Sequence, residues 1–348
     1  MPERIAVVLF NLGGPDSPET VQPFLFNLFN DPAIITLPQP FRWLLAKLIS
    51  SRRAPMAQEF YANLGGRSPL LPNTEEQADA LQAGLAARSQ ADWRCFIAMR
   101  YWHPLTDQTV AAVRDWQPDR VVLLPLYPQY STTTSASSLK LWRQTASRAG
   151  LGAPMTTVCC YPALDGFVTA TAELVRKGIR EASGAGKPRV LFSAHGLPQK
   201  VIDAGDPYQF QVERTAEAVV AKLGGEDFEP VVCYQSRVGP LKWIQPYTED
   251  EVQRAGADKV PLVVVPIAFV SEHSETLVEL DIEYRELAEQ AGVPLYCRVP
   301  TVSSDAVFIE GLATLILDAV KRGDGVFPDG GARICPAGSG GCAQLRFA

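Results

Sequence analysis

The sequence has few of the residues from which structural metal sites and disulfide frameworks are built. It contains three histidines in 348 residues with no His-x-x-x-His pair, and seven cysteines with no Cys-x-x-Cys pair. A tightly held structural zinc ion is not expected, because such sites need closely spaced ligands. An odd number of scattered cysteines also argues against a disulfide framework and favours a reducing compartment.

Positive charge and long apolar runs are lacking as well. The formal net charge is −6, with a pI near 5.3, so a nucleic-acid partner has no electrostatic support. No apolar run is long enough to span a bilayer, and the first residues have no signal-peptide layout. We therefore expect a cytoplasmic protein that does not bind nucleic acid.

The three spaced glycines of the dinucleotide-binding pattern are absent too. The first strand ends in Leu12-Gly13-Gly14-Pro15, which predicts a tight turn that brings the backbone close to a ligand. A nucleotide-binding module built on this turn is disfavoured for the same reason.

Apolar strands alternate with helical stretches along the whole chain. Hydrophobic residues make up 47% and charged residues 20%, which is ordinary for one large or two medium soluble domains. Alternation of this kind indicates an α/β fold with parallel sheets and right-handed crossovers. The loop at 183–188 separates two halves of similar plan, and we expect a ligand cleft between them. The predicted strands lie at 5–10, 96–99, 121–126, 190–192, 231–234 and 263–270.

Ionisable residues follow the apolar strand at 263–270. Glu272, His273 and Glu275 come directly after it, where ligands bind in open α/β sheets. Glu279 and Glu283 continue at i+4 and i+8, so an α-helix would place three carboxylates on one face. Such a row repels itself unless cations or protons occupy it. A solvated acidic face is the alternative interpretation.

All three histidines, His103, His195 and His273, follow predicted strands. A neutral imidazole beside a carboxylate suits a divalent metal in transit, or proton abstraction near neutral pH. Many aromatic residues, among them Phe269, lie near the strand ends, where a large flat ligand would stack.

Residues 33–53 are unusually apolar for a connecting segment, and basic residues are interleaved. They predict either a helix packed in the core or an exposed apolar lip for a flat ligand or a membrane surface. Residues 73–76, Asn-Thr-Glu-Glu, are predicted to cap a helix.

Five ordered motifs resemble those of the ferrochelatase family, and the resemblance covers roughly residues 5–320. They read Leu9-Phe10-Asn11-Leu12-Gly13-Gly14-Pro15, Tyr127-Pro128-Gln129-Tyr130-Ser131, Ser193-Ala194-His195-Gly196-Leu197-Pro198, Tyr234-Gln235-Ser236-Arg237-Val238-Gly239-Pro240 and Phe269-Val270-Ser271-Glu272-His273-Ser274-Glu275-Thr276-Leu277.

The resemblance implies two similar Rossmann-like domains, each a four-stranded parallel sheet flanked by helices, with a porphyrin cleft between them. We expect these domains at 1–165 and 166–305, followed by a helix and a Gly/Cys-rich tail at 306–348. The implied activity is that of a lyase in heme biosynthesis, which inserts Fe²⁺ into protoporphyrin IX to give protoheme. The implied partners are protoporphyrin IX and Fe²⁺, with peripheral membrane contact through residues 33–53 and a monomer or homodimer as the assembly.

The resemblance also implies residue roles. His195 resembles the histidine that binds metal and deprotonates a pyrrole, and Glu275 the glutamate on the opposite side of the macrocycle. Glu279 and Glu283 would continue a carboxylate path, with Glu272 and His273 around it. The residues that would line the pocket are Leu12, Tyr61, Arg100, Tyr127 and Phe269. The residues that would hold the propionates are Arg53 and Ser68.

Some ferrochelatases carry a 2Fe–2S cluster on four cysteines, and the resemblance extends to that site in part. Cys159 or Cys160 would be the first ligand, and Cys335 and Cys342 two others. Gln344 stands where a third tail thiol would be sought. Four thiolates are the usual requirement, so either both adjacent cysteines contribute or the cluster is absent.

Two other functions fit the same residues. One is a chelatase for another tetrapyrrole or metal such as cobalt, because Co(II) and Zn(II) suit the same ligands. The other is a porphyrin or heme carrier without turnover, which would need the aromatic residues but not a histidine facing a glutamate row.

Overall fold

The computed structural model describes residues 1–347 and contains nine strands among them. These are β1 (Arg4–Asn11), β2 (Asp92–Met99), β3 (Arg120–Pro125), β4 (Met155–Val158), β5 (Arg189–His195), β6 (Glu229–Gln235), β7 (Leu262–Pro266), β8 (Tyr296–Arg298) and β9 (Gly325–Phe327). The α-helices are α1 (Val21–Phe29), α2 (Phe41–Ala62), α3 (Leu70–Ala86), α4 (Thr106–Trp116), α5 (Ser135–Arg148), α6 (Asp165–Ala182), α7 (Gln199–Asp203), α8 (Tyr208–Lys222), α9 (Thr248–Asp258), α10 (Tyr284–Ala291), α11 (Ala306–Arg322) and α12 (Ala343–Arg346). A π-helix spans Glu275–Glu283, and short 3₁₀ turns span Pro18–Thr20 and Ser183–Ala185.

The chain forms two compact units. The first comprises Met1–Cys160, Ala313–Arg333 and the last residues from Ala343; the second comprises Tyr161–Leu312 and Ile334–Cys342. Helix α11 therefore contributes residues to both units. The segment expected at 306–348 is divided between the units rather than forming a region of its own.

The first unit is built on a five-stranded parallel sheet with the order β2-β1-β3-β4-β9. Residues Val121–Leu124 of β3 have no exposed surface, as expected for a strand with both faces covered. The resemblance implied four strands. The fifth, Gly325–Phe327, pairs with β4 and comes from the C-terminal part of the chain, where a three-residue strand has no detectable sequence pattern.

The second unit is built on a four-stranded parallel sheet, as the resemblance implied, and its strand order is β6-β5-β7-β8. Alternate residues of its strands enter two separate cores: Val190 and Val263 lie in one, Leu191 and Val264 in the other. The two-residue period of a strand explains this division.

Two local predictions can be compared with the structure. Helix α3 begins at Leu70, so Thr74 lies inside it and its hydroxyl donates to Leu70 O at 2.6 Å instead of capping the helix. Gly13 has φ +85°, and a Cβ there would lie 2.9 Å from Trp102 N. The turn after β1 therefore approaches the chain's own backbone, which requires glycine.

Two alternatives were predicted for the apolar segment at 33–53, a helix packed in the core and an exposed lip. The structure shows the exposed one. Helix α2 begins at Phe41, which is 63% exposed, and several other large apolar side chains in the segment are also exposed. We call this surface the apolar lip; it comprises Ile34, Leu37, Phe41, Trp43, Leu44 and Leu48. No helix within residues 1–347 has the length and hydropathy needed to cross a membrane.

Candidate functional site

The ends of three adjacent strands in the second unit carry the predicted ionisable residues. His195 is the last residue of β5, Gln235 is the last residue of β6, and the π-helix begins nine residues after the end of β7. Because β5 lies between the other two strands, His195 is central. The carboxyl edge of this sheet is where an open α/β fold places its ligands.

His195 has a defined tautomer. Its Nδ1 lies 2.6 Å from Gly196 O. A carbonyl oxygen only accepts hydrogen bonds, so Nδ1 carries the hydrogen and donates it. In the neutral ring, Nε2 therefore has a free lone pair, and it lies 3.9 Å from Oε1 of Glu275. This nitrogen can accept a proton or bind a metal.

The resemblance placed Glu275 across the macrocycle from His195, and the same distance argues against that arrangement. A planar ring between two groups needs roughly 3.5 Å of contact distance on each side, about 7 Å in all. The separation of 3.9 Å leaves no such room. Both side chains are partly exposed, at 36% and 28%.

Glu275 begins a π-helix, not the α-helix predicted from the sequence. The amide of Tyr284 donates to Glu279 O, five residues earlier, which defines the π pattern. Helices of this type are rare and occur frequently at functional sites. Sequence periodicity did not indicate it, because the same apolar pattern fits an α-helix.

Glu279 is held by four hydrogen bonds. The backbone N–H and the hydroxyl of Ser236 donate to its two carboxylate oxygens at 2.8 and 2.6 Å. The Gln235 amide adds a bond of 3.0 Å and the Tyr284 hydroxyl one of 3.1 Å. Ser236 has φ +64°, an unfavourable conformation for serine that directs both of its donors to one carboxyl group. None of these three partners was predicted as a site residue.

Burial and the nearby charge of Glu275 raise the pKa of Glu279 above its usual value, although the bonds from Ser236 and Gln235 oppose the shift. The repulsion predicted for the glutamate row is thus present. Glu283, at the far end of the π-helix, is exposed, and partial burial and Glu286 raise its pKa.

The residues around Glu275 form two different environments. His273 is buried and its ring lies edge-on to Phe269, with 4.5 Å between ring centres. Burial lowers the pKa of His273, which favours the neutral ring. Glu272 accepts from Arg298 Nη1 at 2.6 Å and from Thr301 N at 2.9 Å. Burial opposes ionisation of Glu272, but the charge of Arg298 overcomes it and lowers the pKa.

The remaining predicted residues belong to the first unit. Leu12 and Ser68 lie beside the turn after β1: Leu12 O accepts from Tyr101 N, and Ser68 N donates to Pro15 O. Tyr61 is buried at the end of α2, and Tyr127 follows β3 and is half-buried. The guanidinium of Arg53 lies 5.8 Å from the ring centre of Phe29.

Arg100 is already paired. Its Nη2 lies 2.7 Å from Oδ2 of buried Asp31, and its Nε donates to the Ser137 hydroxyl at 2.8 Å. Asp31 also accepts from the Tyr101 hydroxyl at 2.7 Å. Arg100 therefore shapes the first unit through Asp31.

The four cysteines considered as cluster ligands are all buried. Cys159 and Cys160 are buried in the first unit with their sulfur atoms 3.7 Å apart, whereas Cys335 and Cys342 belong to the second unit. Cys335 accepts a hydrogen bond from Gln211 at 3.2 Å. Gln344 donates to Val326 O at 3.1 Å. Within residues 1–347, no group of three or more His, Cys, Asp or Glu side chains is arranged to hold a metal ion.

Comparison with known proteins identifies the family. The sequence matches the ferrochelatase family profile over residues 4–320. It is 56% identical over 326 residues to a ferrochelatase of Caulobacter vibrioides, covering 93% of each chain. The chain belongs to the ferrochelatase family. It is a metal chelatase and thus a lyase.

A second ferrochelatase, from Phenylobacterium zucineum, is 55% identical to this ferrochelatase-family chain over 341 residues, with 98% of each chain covered. Among solved structures, SirB from Bacillus subtilis with Fe³⁺ is similar, with a TM-score of 0.51 and 13% identity over 91% of this chain and 95% of SirB. At that identity the likeness concerns the fold alone, and it confirms the chelatase-like α/β architecture.

The raised pKa of Glu279 predicts a pH-dependent stability. Between the usual pKa of 4.5 and the raised value, the folded state binds more protons than the unfolded state, so stability falls as pH rises through this window. Glu279→Gln removes the titrating group, and we expect a smaller loss of unfolding free energy between about pH 5 and about pH 8. Urea denaturation at both pH values measures it.

Glu289→Gln, an exposed change on α10, is the control and should lose stability as the wild type does. An equal loss in Glu279→Gln and wild type would show that Glu279 has no raised pKa.

Proposed function

We propose that His195 and Glu275 form the centre at which this chain inserts Fe²⁺ into protoporphyrin IX. The chain is a ferrochelatase of heme biosynthesis, and the product is protoheme. The observation that supports the placement is the free lone pair of His195 Nε2, 3.9 Å from a carboxylate oxygen at the carboxyl edge of the sheet.

The chemistry requires two protons to leave the porphyrin as the metal enters. His195 Nε2 takes one pyrrole proton as a general base. Glu275, beside it, takes the second pyrrole proton. Binding the ring distorted would point its nitrogen lone pairs out of plane, and remote binding energy offsets that strain.

The remaining carboxylates extend this centre toward solvent. Glu279 is next in the row and holds a proton readily because its pKa is raised by burial and by Glu275. Glu283 is exposed at the far end. We therefore propose that the π-helix carries protons away from Glu275, or carries Fe²⁺ toward it.

Single substitutions test the two central residues. His195→Ala removes the base and Glu275→Gln removes the charge while keeping the shape, so each should lower kcat at least about 100-fold. The measurement is anaerobic conversion of protoporphyrin IX and Fe²⁺ to heme, followed by absorbance. Circular dichroism of each purified variant should match the wild type.

His103→Ala is the control, because His103 is exposed in the first unit and bonded to Gln108. Its kcat should be unchanged. Wild-type turnover in His195→Ala or Glu275→Gln would refute the role of that residue, and porphyrin binding without turnover in the wild type would favour a carrier. Parallel assays with Co²⁺, Zn²⁺ and coproporphyrin III define the preferred metal and ring.

We propose that the apolar lip makes peripheral contact with a membrane surface from the cytoplasm. Six large apolar side chains are exposed within it, and Arg42 and Lys47 lie among them. Interfacial helices combine these residue types. Whether the protein acts as a monomer or a homodimer stays a prediction.

Charged substitutions in the apolar lip test this contact. Burial of one large apolar side chain contributes about 1.5–3 kcal/mol, so Phe41→Glu with Leu44→Glu should reduce binding to anionic vesicles by more than about tenfold. Vesicle co-sedimentation measures the binding. Met56→Glu, on α2 but outside 33–53, is the matched control, since Met56 is 50% exposed. Equal binding of the double variant and wild type would contradict the contact.

Iron is a substrate of this reaction. Among the described residues, no four thiolates are arranged to hold a 2Fe–2S cluster. We expect anaerobically purified protein to lack the visible absorption bands of an iron–sulfur chromophore. Bands that disappear in Cys335→Ser would show that a cluster forms and that Cys335 holds it.

A further inference from the structure

The π-helix leaves one of its own carbonyl groups without the donor that an α-helix would supply. In an α-helix, Leu280 O would accept from Tyr284 N, four residues on. Here Tyr284 N donates to Glu279 O instead. The Tyr296 hydroxyl donates to Leu280 O at 2.6 Å and takes the place of that amide. A side chain from β8 thus supplies the hydrogen bond to Leu280 O that an α-helical amide would have supplied.

A second side chain of β8, that of Arg298, links the loop before the π-helix to the second turn of that helix. Arg298 Nη1 lies 2.6 Å from Glu272, three residues before the helix. Its Nε donates to Asp281 at 2.9 Å, and its Nη2 also contacts that carboxylate. The side chain of Arg298 is only 8% exposed, so these bonds are shielded from solvent. Only the fork of a guanidinium spans two carboxylates in this way.

Strand geometry explains why both side chains reach the same helix. Tyr296 and Arg298 are two residues apart on β8, so they point to the same face of the sheet. They pair with Leu262 and Val264 of β7, and Tyr296 packs with Leu280 in the core on that face. Cys297, between them, enters the opposite core.

We infer that Tyr296 and Arg298 are positioning residues that hold Glu275–Glu283 in the π form and so set where Glu275 and Glu279 lie relative to His195. Neither touches a reacting atom in the proposed centre; each acts through the helix. The kinetic part of this inference rests on the proposed function, whereas the structural part does not. We call Tyr296 and Arg298 together the clamp. Misplacing a reacting group by about 1 Å costs on the order of 100-fold in rate, so the position that the clamp gives to Glu275 affects the reaction rate.

The kinetic test uses Tyr296→Phe, which removes one hydroxyl, and Arg298→Lys, which keeps the charge but loses the fork. We expect each to lower kcat for iron insertion by about tenfold or more, to raise KM for Fe²⁺, and to leave KM for the porphyrin unchanged. Arg298→Met, which loses the charge as well, should lower kcat further, so that lysine rescues part of the activity.

Hydrogen exchange tests the helix itself without substrate. The amides of residues 275–284 should exchange faster in Tyr296→Phe and Arg298→Lys than in wild type. Arg189→Lys is the matched control: Arg189 is a buried arginine that pairs with Glu229 and Asp258, but at the start of β5, the end of the strand away from His195. It should lose stability while kcat and exchange over 275–284 stay at the wild-type values.

Wild-type kcat and wild-type exchange in both β8 variants would overturn the inference. It would also be overturned if Arg189→Lys lowered kcat and loosened 275–284 as much as Arg298→Lys does, because the effect would then be general destabilisation. A wild-type protein that inserts no iron would refute the proposed function alone, and the exchange measurement would still decide the role of the clamp.

Discussion

The hydrogen bond from His195 Nδ1 to Gly196 O determines what the rest of the site can do. It fixes the hydrogen on one nitrogen and leaves the lone pair of Nε2 beside Glu275. The bond depends on the place of Gly196, whose amide donates to Gln235 O at 2.8 Å at the end of β6. A Cβ on residue 196 would lie 3.0 Å from that oxygen and 3.2 Å from the Trp243 ring. The packing of Gly196 against the end of β6 therefore determines which tautomer His195 adopts.

The positions of Glu275 and Glu279 depend on a different constraint. An isolated π-helix is unfavourable, and here it is stabilised by bonds from outside itself: Tyr296 to Leu280 O, Arg298 to Glu272 and Asp281, and Ser236 to Glu279. Two side chains of β8 and the residue that follows β6 thus position one helix. Its burial explains why Glu279 holds a proton more readily than an exposed glutamate.

The sequence predicted six of the nine strands, β1, β2, β3, β5, β6 and β7, because buried parallel strands have apolar β-branched runs. The short strands β4, β8 and β9 were not predicted. His195, Glu275 and Glu279 were found because they follow predicted strands. The π-helix was not, since its i+5 bonding depends on Tyr296, twelve residues beyond Tyr284. Ser236 and Gln235 were present in a recognised motif, but only the fold shows that they bind Glu279. Arg100 was predicted only to line the pocket, and the structure pairs it with Asp31, 69 residues earlier, a contact that no local pattern reveals.

The tautomer of His195 is the most direct test of this account. With ¹⁵N-labelled histidine, the three histidines of the chain give separable two-bond ¹H–¹⁵N correlations, and His195→Gln assigns one set. At about pH 8, where an ordinary histidine is neutral, the account predicts a protonated Nδ1 and an unprotonated Nε2 for His195. A protonated Nε2 would contradict it, because no lone pair would then face Glu275 to receive a pyrrole proton or Fe²⁺.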